Sequence, residues 1–258
     1  MSRLIALLYG VACYALFGVV SVWALAFLGN FLPSGSIDST PRSAWPLALV
    51  VNLGLLVLFA LQHSIMARPW FKREWTKIVP EPVERSTYML FSCVALGLLI
   101  YVWQPLGGVI WNVESSLPRG VIYALYFGGW LTIIGSSHLI NHYDLFGLRQ
   151  VWLYYQGQPY THLPFKTPGV YRWVRHPLYV GWLLVFWSAP TMTASHLLFA
   201  IGTTAYILIA IVFEERDLIA HFGDSYANYR ARTPMLLPWF RRPEANDTNT
   251  SRTHLGKA

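Results

Sequence analysis

The chain has 258 residues, of which 55% are apolar and only 12% charged, with a formal net charge of +7. An average soluble domain is about 25% charged, so the composition excludes an ordinary water-soluble domain and points to a polytopic membrane protein. The two cysteines, Cys13 and Cys93, both lie inside apolar runs and read as small buried residues, not as a disulfide or a metal site.

Uncharged runs cover 4–37, 43–67, 86–113, 120–143 and 176–213. A helical span needs roughly 20 apolar residues. Each run therefore holds one span, and the last, interrupted by Pro190, holds two. In the first run, Ala24-Leu25-Ala26 resembles a signal-peptide cleavage site. The apolar stretch before it exceeds the usual ~7–15 residues of such a signal, so it reads as a retained first span. Helices are expected near 4–30, 44–67, 86–104, 120–140, 178–190 and 195–213. With the N-terminus in the cytosol, 17 of the 19 Lys and Arg fall in interior segments and only Arg42 and Arg119 lie outside. That is the asymmetry of the positive-inside rule. It also favours two spans within 176–213, although an arm over 178–190 rises only about 20 Å.

The expected fold class is all-α: a polytopic membrane helical bundle of five to six spans, the last two forming a helical hairpin. A cytosolic cofactor-binding loop and a C-terminal segment complete it. Residues 1–240 read as one domain, with N-terminal spans over 4–104 and a catalytic core over 120–238. The polar tail, 241–258, is expected to be disordered.

Polar residues gather at four span ends, all on the expected cytosolic side. His63, beside Gln62, ends the second run. In "HLINHYDLFGLRQ" (138–150), His138 and His142 share one helix face, and Asn141, Asp144 and Arg149 lie beside them. "VRHPLYVGW" (174–182) opens the hairpin, and "FEERDL" (213–218) closes the last span. Charges at span ends are commonly snorkelling anchors, and a single histidine such as His63 is commonly a hydrogen-bonded core residue. Four polar span ends converging on one edge exceed what anchoring requires, which makes them functional candidates. His138-x3-His142 has metal-ligand spacing, but the chain has eight histidines and no second close pair. No metal is assigned.

"GVYRWVRHPLYVGW" (169–182), a hairpin, then "EERDLIAHFGDSYANYRARTPMLLP" (214–238) resemble the isoprenylcysteine carboxyl methyltransferase superfamily. Its pattern is an Arg-His-Pro-x-Tyr-x-Gly box, a Glu-Glu box and a Phe-Gly-x-x-Tyr-x-x-Tyr segment. "QHSIMARPWFK", "VPEPVERSTY" and "INHYDLFGLRQVWLY" resemble one branch, the bacterial methanethiol S-methyltransferases. The resemblance implies an integral membrane enzyme that methylates a small volatile thiol with S-adenosylmethionine, producing dimethyl sulfide. It also implies a bacterial inner membrane, with both termini and the active site cytosolic. The bilayer is the other expected partner; no nucleic acid is expected, and the oligomeric state is open.

The residue chemistry agrees with that reading. Arg175 and His176 stand before a helix N-terminus, which favours an anion such as the cofactor carboxylate. Pro177 suits the first helical position, and Gly181 admits close approach of cofactor or backbone. Glu214 and Glu215 are acceptors for the amine, ribose diol or sulfonium. Tyr171, Tyr179 and Tyr229 add aromatic faces and hydroxyls. The thiolate is the nucleophile, so His142 or Asp144 is expected as base, Arg149 and Arg175 as stabilisers of the thiolate, and His63 and Asn141 near the substrate. Three alternatives stay open: a methyltransferase for a prenylated or lipid-like substrate, an NADPH-dependent membrane reductase with a similar Arg-His-Pro box, and a permease. A permease would more often place its polar residues at the bilayer midplane.

Overall fold

A computed structural model describes residues 1–238; the expected disordered tail, 241–258, lies outside them. Ten helices are described: α1 (Arg3–Leu28), α2 (Trp45–Ala67), α3 (Pro69–Trp75), α4 (Glu81–Val102), α5 (Ser116–Ile140), α6 (His142–Leu145), α7 (Leu148–Tyr155), α8 (Pro177–Trp187), α9 (Ala194–Phe222) and α10 (Asp224–Arg232). Two short strands, β1 (Val109–Asn112) and β2 (Thr191–Thr193), pair antiparallel. Helices α1, α2, α4, α5 and α9 are each long and apolar enough to cross a membrane. The sixth expected span is α8, whose 11 residues rise only about 16 Å, against a hydrocarbon core of about 30 Å.

Local sequence explains most boundaries. Prolines occupy the first turns of α2, α3, α4 and α8, where the missing N–H would have had no partner. Ser2 and Thr193 cap α1 and α9 by accepting from Ile5 N and His196 N. Helix α9 does not end where the charge begins. It runs through Glu214–Asp217 to Phe222, and Gly223, at φ +56°, turns the chain into α10.

Helix α1 packs on α4 and α7, α2 on α4 and α9, and α8 lies along α5. The α5–α8 contact depends on two glycines. A Cβ at Gly181 would sit 2.8 Å from Gly129 O, and one at Gly129 would sit 2.8 Å from Gly181 O. Small residues let membrane helices approach this closely. Gly181 was expected to admit either cofactor or backbone; here its bare face meets the α5 backbone.

At the opposite end from Glu214–Asp217, the hairpin turn is held from several sides. Trp111 Nε1 donates to Ala189 O at 3.0 Å, and Thr193 and His196 both bond Asp38. His196 Nδ1 lies 3.0 Å from Asp38 Oδ2 and Nε2 lies 3.1 Å from Phe186 O. Both partners are acceptors, so the ring donates from both nitrogens. Burial alone would raise the Asp38 carboxyl, but hydrogen bonds from His196, Thr193 and Asn30 outweigh it and hold it below the usual range.

Two outcomes are expected. Gly181→Val forces α5 and α8 apart at a cost of about 1–3 kcal/mol, read as a lower Tm in detergent. Because the Asp38 carboxyl is depressed on folding, its stabilisation is complete above the ordinary carboxylate pKa and fades as pH falls through the depressed value. Asp38→Asn should flatten that acid dependence, measured as Tm against pH.

Candidate active site

One carboxylate organises the end of the bundle where α8 begins and α9 ends. Glu215, on α9 with 6% of its side chain exposed, receives Arg175 Nε at 2.7 Å and Arg230 Nε at 2.9 Å. His176 Nε2 lies 3.1 Å from the same carboxylate. Arg175 Nη1 also donates to Arg230 O and Thr233 O, and the backbone N–H groups of Arg175 and His176 donate to Pro234 O and Met235 O. The box before α8, the acid on α9 and the chain after α10 are thereby one hydrogen-bonded unit. A cleft of about 460 Å3 opens beside it, lined by Arg175, Arg230, Arg232 and Thr233.

Its neighbour, Glu214, is different. Oε2 is buried with no hydrogen-bond partner and lies 3.8 Å from His176 Nδ1. The Tyr226 hydroxyl is likewise buried and unpartnered. Buried polar atoms are almost always satisfied, so both atoms keep hydrogen-bonding capacity to spare; the Glu214 side chain as a whole is 42% exposed. Tyr179 lies within electrostatic range of Glu214, Tyr206 and Tyr88. Tyr229 donates to Tyr171 O at 2.5 Å, and Tyr171 to Ser136 O at 3.3 Å. Burial raises the hydroxyls of Tyr171 and Tyr226, and pushes Tyr229 up to about 12, so all three stay neutral donors. Pro177 starts α8 as expected, one residue beyond this unit.

Loop 156–168 straps the edge. Phe165 packs on Phe222, Tyr226 and Tyr229 with centroids 5.3–5.7 Å apart. At the other end Arg149 donates to Thr161 O and Thr161 Oγ1, and pairs with Asp144 at 2.9 Å. The Tyr160 hydroxyl reaches Asp144 Oδ2 at 3.4 Å.

The expected catalytic residues thus fall into two groups. Asp144 and Arg149 neutralise each other under the strap. His142 sits against α1, with Nε2 2.7 Å from the Tyr14 hydroxyl and Nδ1 2.9 Å from Ser137 Oγ. Ser137 donates to Ile134 O, so it accepts from Nδ1–H and Tyr14 donates to Nε2. Burial and the adjoining His138 ring, stacked at 4.1 Å, push the His142 pKa down. Asn141, at φ 149°, spends its Oδ1 on Asp144 N as the cap of α6. His63 lies apart from these, bonded to Ser92 and Tyr88. Arg230, Tyr88, Ser92 and Tyr206 were not anticipated. Arg230 sat in a basic "YRAR" segment that reads as interfacial, and the other three lay within apolar runs. Among the described residues, no three His, Cys, Asp or Glu side chains gather as a metal-binding group.

Residues 123–225 match the Phospholipid methyltransferase family, and they contain most of α5, all of α8 and α9, and both acids. The chain is 52% identical to the Methanethiol S-methyltransferase of Crocosphaera subtropica, over 93% of this chain and 94% of that protein. It is 48% identical to the Methanethiol S-methyltransferase of Mycobacterium tuberculosis, over 94% and 99%. The chain belongs to the methanethiol S-methyltransferase family. Methanethiol S-methyltransferase 2 of Bradyrhizobium diazoefficiens is 46% identical over 97% of each chain. No solved structure matches. A membrane methyltransferase of this family therefore carries its Arg-His-Pro and Glu-Glu boxes as one bonded unit.

Removing Glu215 leaves Arg175 inside without its counter-charge, a loss of about 3–5 kcal/mol. Glu214 supports no such network. Glu215→Ala should sharply lower Tm, whereas Glu214→Ala should leave Tm nearly unchanged and weaken methyl-donor binding in calorimetry.

Proposed function

We propose that the protein transfers the methyl group of S-adenosylmethionine to methanethiol, giving dimethyl sulfide, at the cytosolic edge of a bacterial inner membrane. The observation that carries this reading is the partnerless Glu214 Oε2 beside a hydrogen-bonded Arg175–Glu215–Arg230 unit, in a chain near-identical in length to relatives named for that reaction. The sulfonium cofactor supplies an electrophilic methyl carbon.

The residues present fit that group. Glu214 accepts from its amine or ribose hydroxyls and offers a negative field to its sulfonium. Arg230, about half exposed and facing the cleft with Arg232, receives its carboxylate. His176 was expected to share that carboxylate. Facing Glu215 and Glu214 instead, it orients the acids. Tyr226 donates its free hydroxyl, and Tyr171, Tyr179 and Tyr229 wall the site with apolar ring faces. The strap over 156–168 excludes water, which strengthens each of these interactions. Methanethiol is small and apolar and enters between spans, while the charged cofactor enters from the basic, cytosolic side. An apolar walled site with only a few polar groups suits that thiol better than a large lipid-like substrate.

Purified protein with S-adenosylmethionine and methanethiol should release dimethyl sulfide into the headspace. Folded protein that binds no S-adenosylmethionine in calorimetry overturns the reading. Turnover of a prenylated thiol in place of methanethiol would reassign the substrate.

A further inference from the structure

We propose that His63 accepts the proton of the thiol, within a polar cluster built by α2, α4 and α9 beside Glu214. This rests on the thiol-methylation reading and assigns the base within it. His63 was expected only to adjoin the substrate, and the base was sought at His142 or Asp144.

The hydrogen bonds fix the ring. Ser92 Oγ donates to Tyr88 O at 3.0 Å, which turns its lone pair toward His63 Nδ1, 3.1 Å away. Nδ1 therefore carries the proton and Nε2 is the basic nitrogen. The Tyr88 hydroxyl lies between the two ring nitrogens, 3.0 Å from Nε2 and 3.1 Å from Nδ1, and has a further acceptor in His63 O at 3.3 Å. When a thiol arrives, Tyr88 turns its hydroxyl to that carbonyl and Nε2 is open. The ring is held in place by Phe59, nearly parallel at 5.4 Å, and by Tyr88 at 5.2 Å. Gln62 adds a buried Oε1 without a partner, and its Nε2 reaches the same Ser92. That unsatisfied acceptor marks a place for a ligand with a hydrogen to give.

The cluster adjoins the methyl-donor site. Tyr206, on α9, bonds Ser64 at 3.3 Å, packs its ring 6.5 Å from His63 and lies within electrostatic range of Glu214. Tyr179, from α8, spans the same gap. The charged group within electrostatic range of His63 is Arg85, from α4; Arg68 after α2, paired with Asp217 on α9, and Glu214 lie in range of the neighbouring Tyr206. The two arginines favour the thiolate. The proton passes from sulfur to Nε2. The sulfur pair forms the new S–C bond as the donor's C–S bond breaks, its electron pair staying on the donor sulfur. The imidazolium then releases its proton to water. His142 offers no such opening: its lone pair is closed by Tyr14, and its contacts are to Tyr14, Ser137, His138, Tyr143 and Phe146.

The test uses the full chain in detergent, with S-adenosylmethionine and a series of small thiols of falling pKa. His63→Gln should lower kcat/KM for methanethiol by about 10²- to 10⁴-fold and abolish the acid limb of the pH–rate profile. Calorimetric affinity for S-adenosylmethionine should stay the same. The defect should shrink as the thiol becomes more acidic, because a pre-ionised thiol needs no base. Tyr88→Phe, which keeps the ring packing, should give a smaller loss and a displaced acid limb, and it serves if His63→Gln does not fold. An equal defect across all thiols overturns the proposal. So does an acid limb that persists in His63→Gln and vanishes in His142→Gln. Wild-type protein that fails to bind S-adenosylmethionine overturns the functional reading itself, which is a separate result.

Discussion

The arrangement of the polar edge depends on one buried carboxylate with too many partners to be replaced. Glu215 is shared by two guanidiniums and an imidazole from three separate segments. A lone arginine at a helix mouth near hydrocarbon is costly, and so is a lone acid in the middle of α9. Brought together with bonds of 2.7–3.1 Å, each offsets the other's desolvation. The same contact positions Glu214, because adjacent residues on a helix point about 100° apart. One acid holds the edge together, which leaves its neighbour free to face a ligand.

That division of labour changes what the positive box does. The Arg-His pair reads, from sequence, as an anion site. Arg175 and His176 are instead engaged by Glu215, which they share with Arg230. The anion-binding capacity shifts outward, to Arg230 and Arg232 along the cleft.

Much of this was legible beforehand. Five spans follow from charge-free runs, and the boxes from their spacing. The errors lie where hydropathy and backbone geometry part company. Helix α4 begins at Glu81, ahead of the apolar run, because Pro82 suits a first turn. Helix α9 continues through Glu214–Asp217 because charged residues propagate a helix as well as apolar ones do. The β1–β2 pair joins segments some eighty residues apart, and strands this short leave no alternation to detect. Tyr88 and Ser92 share a helix face at i and i+4, but within an apolar run that pattern acquires meaning only when His63 stands opposite. His142 was legible as a buried polar residue; its closure by Tyr14, 128 positions away, was not.

The strap over 156–168 has ends of different kinds. One is held by the Arg149–Asp144 pair and the Thr161 hydrogen bonds, the other by Phe165 among three aromatic rings. The ion pair is about four-fifths buried, so dissolved salt screens it far less than it would a surface pair; cooling weakens the ring packing. The loop is therefore pinned at one end by charge and hydrogen bonds and at the other by apolar contact, and the two ends answer to different conditions.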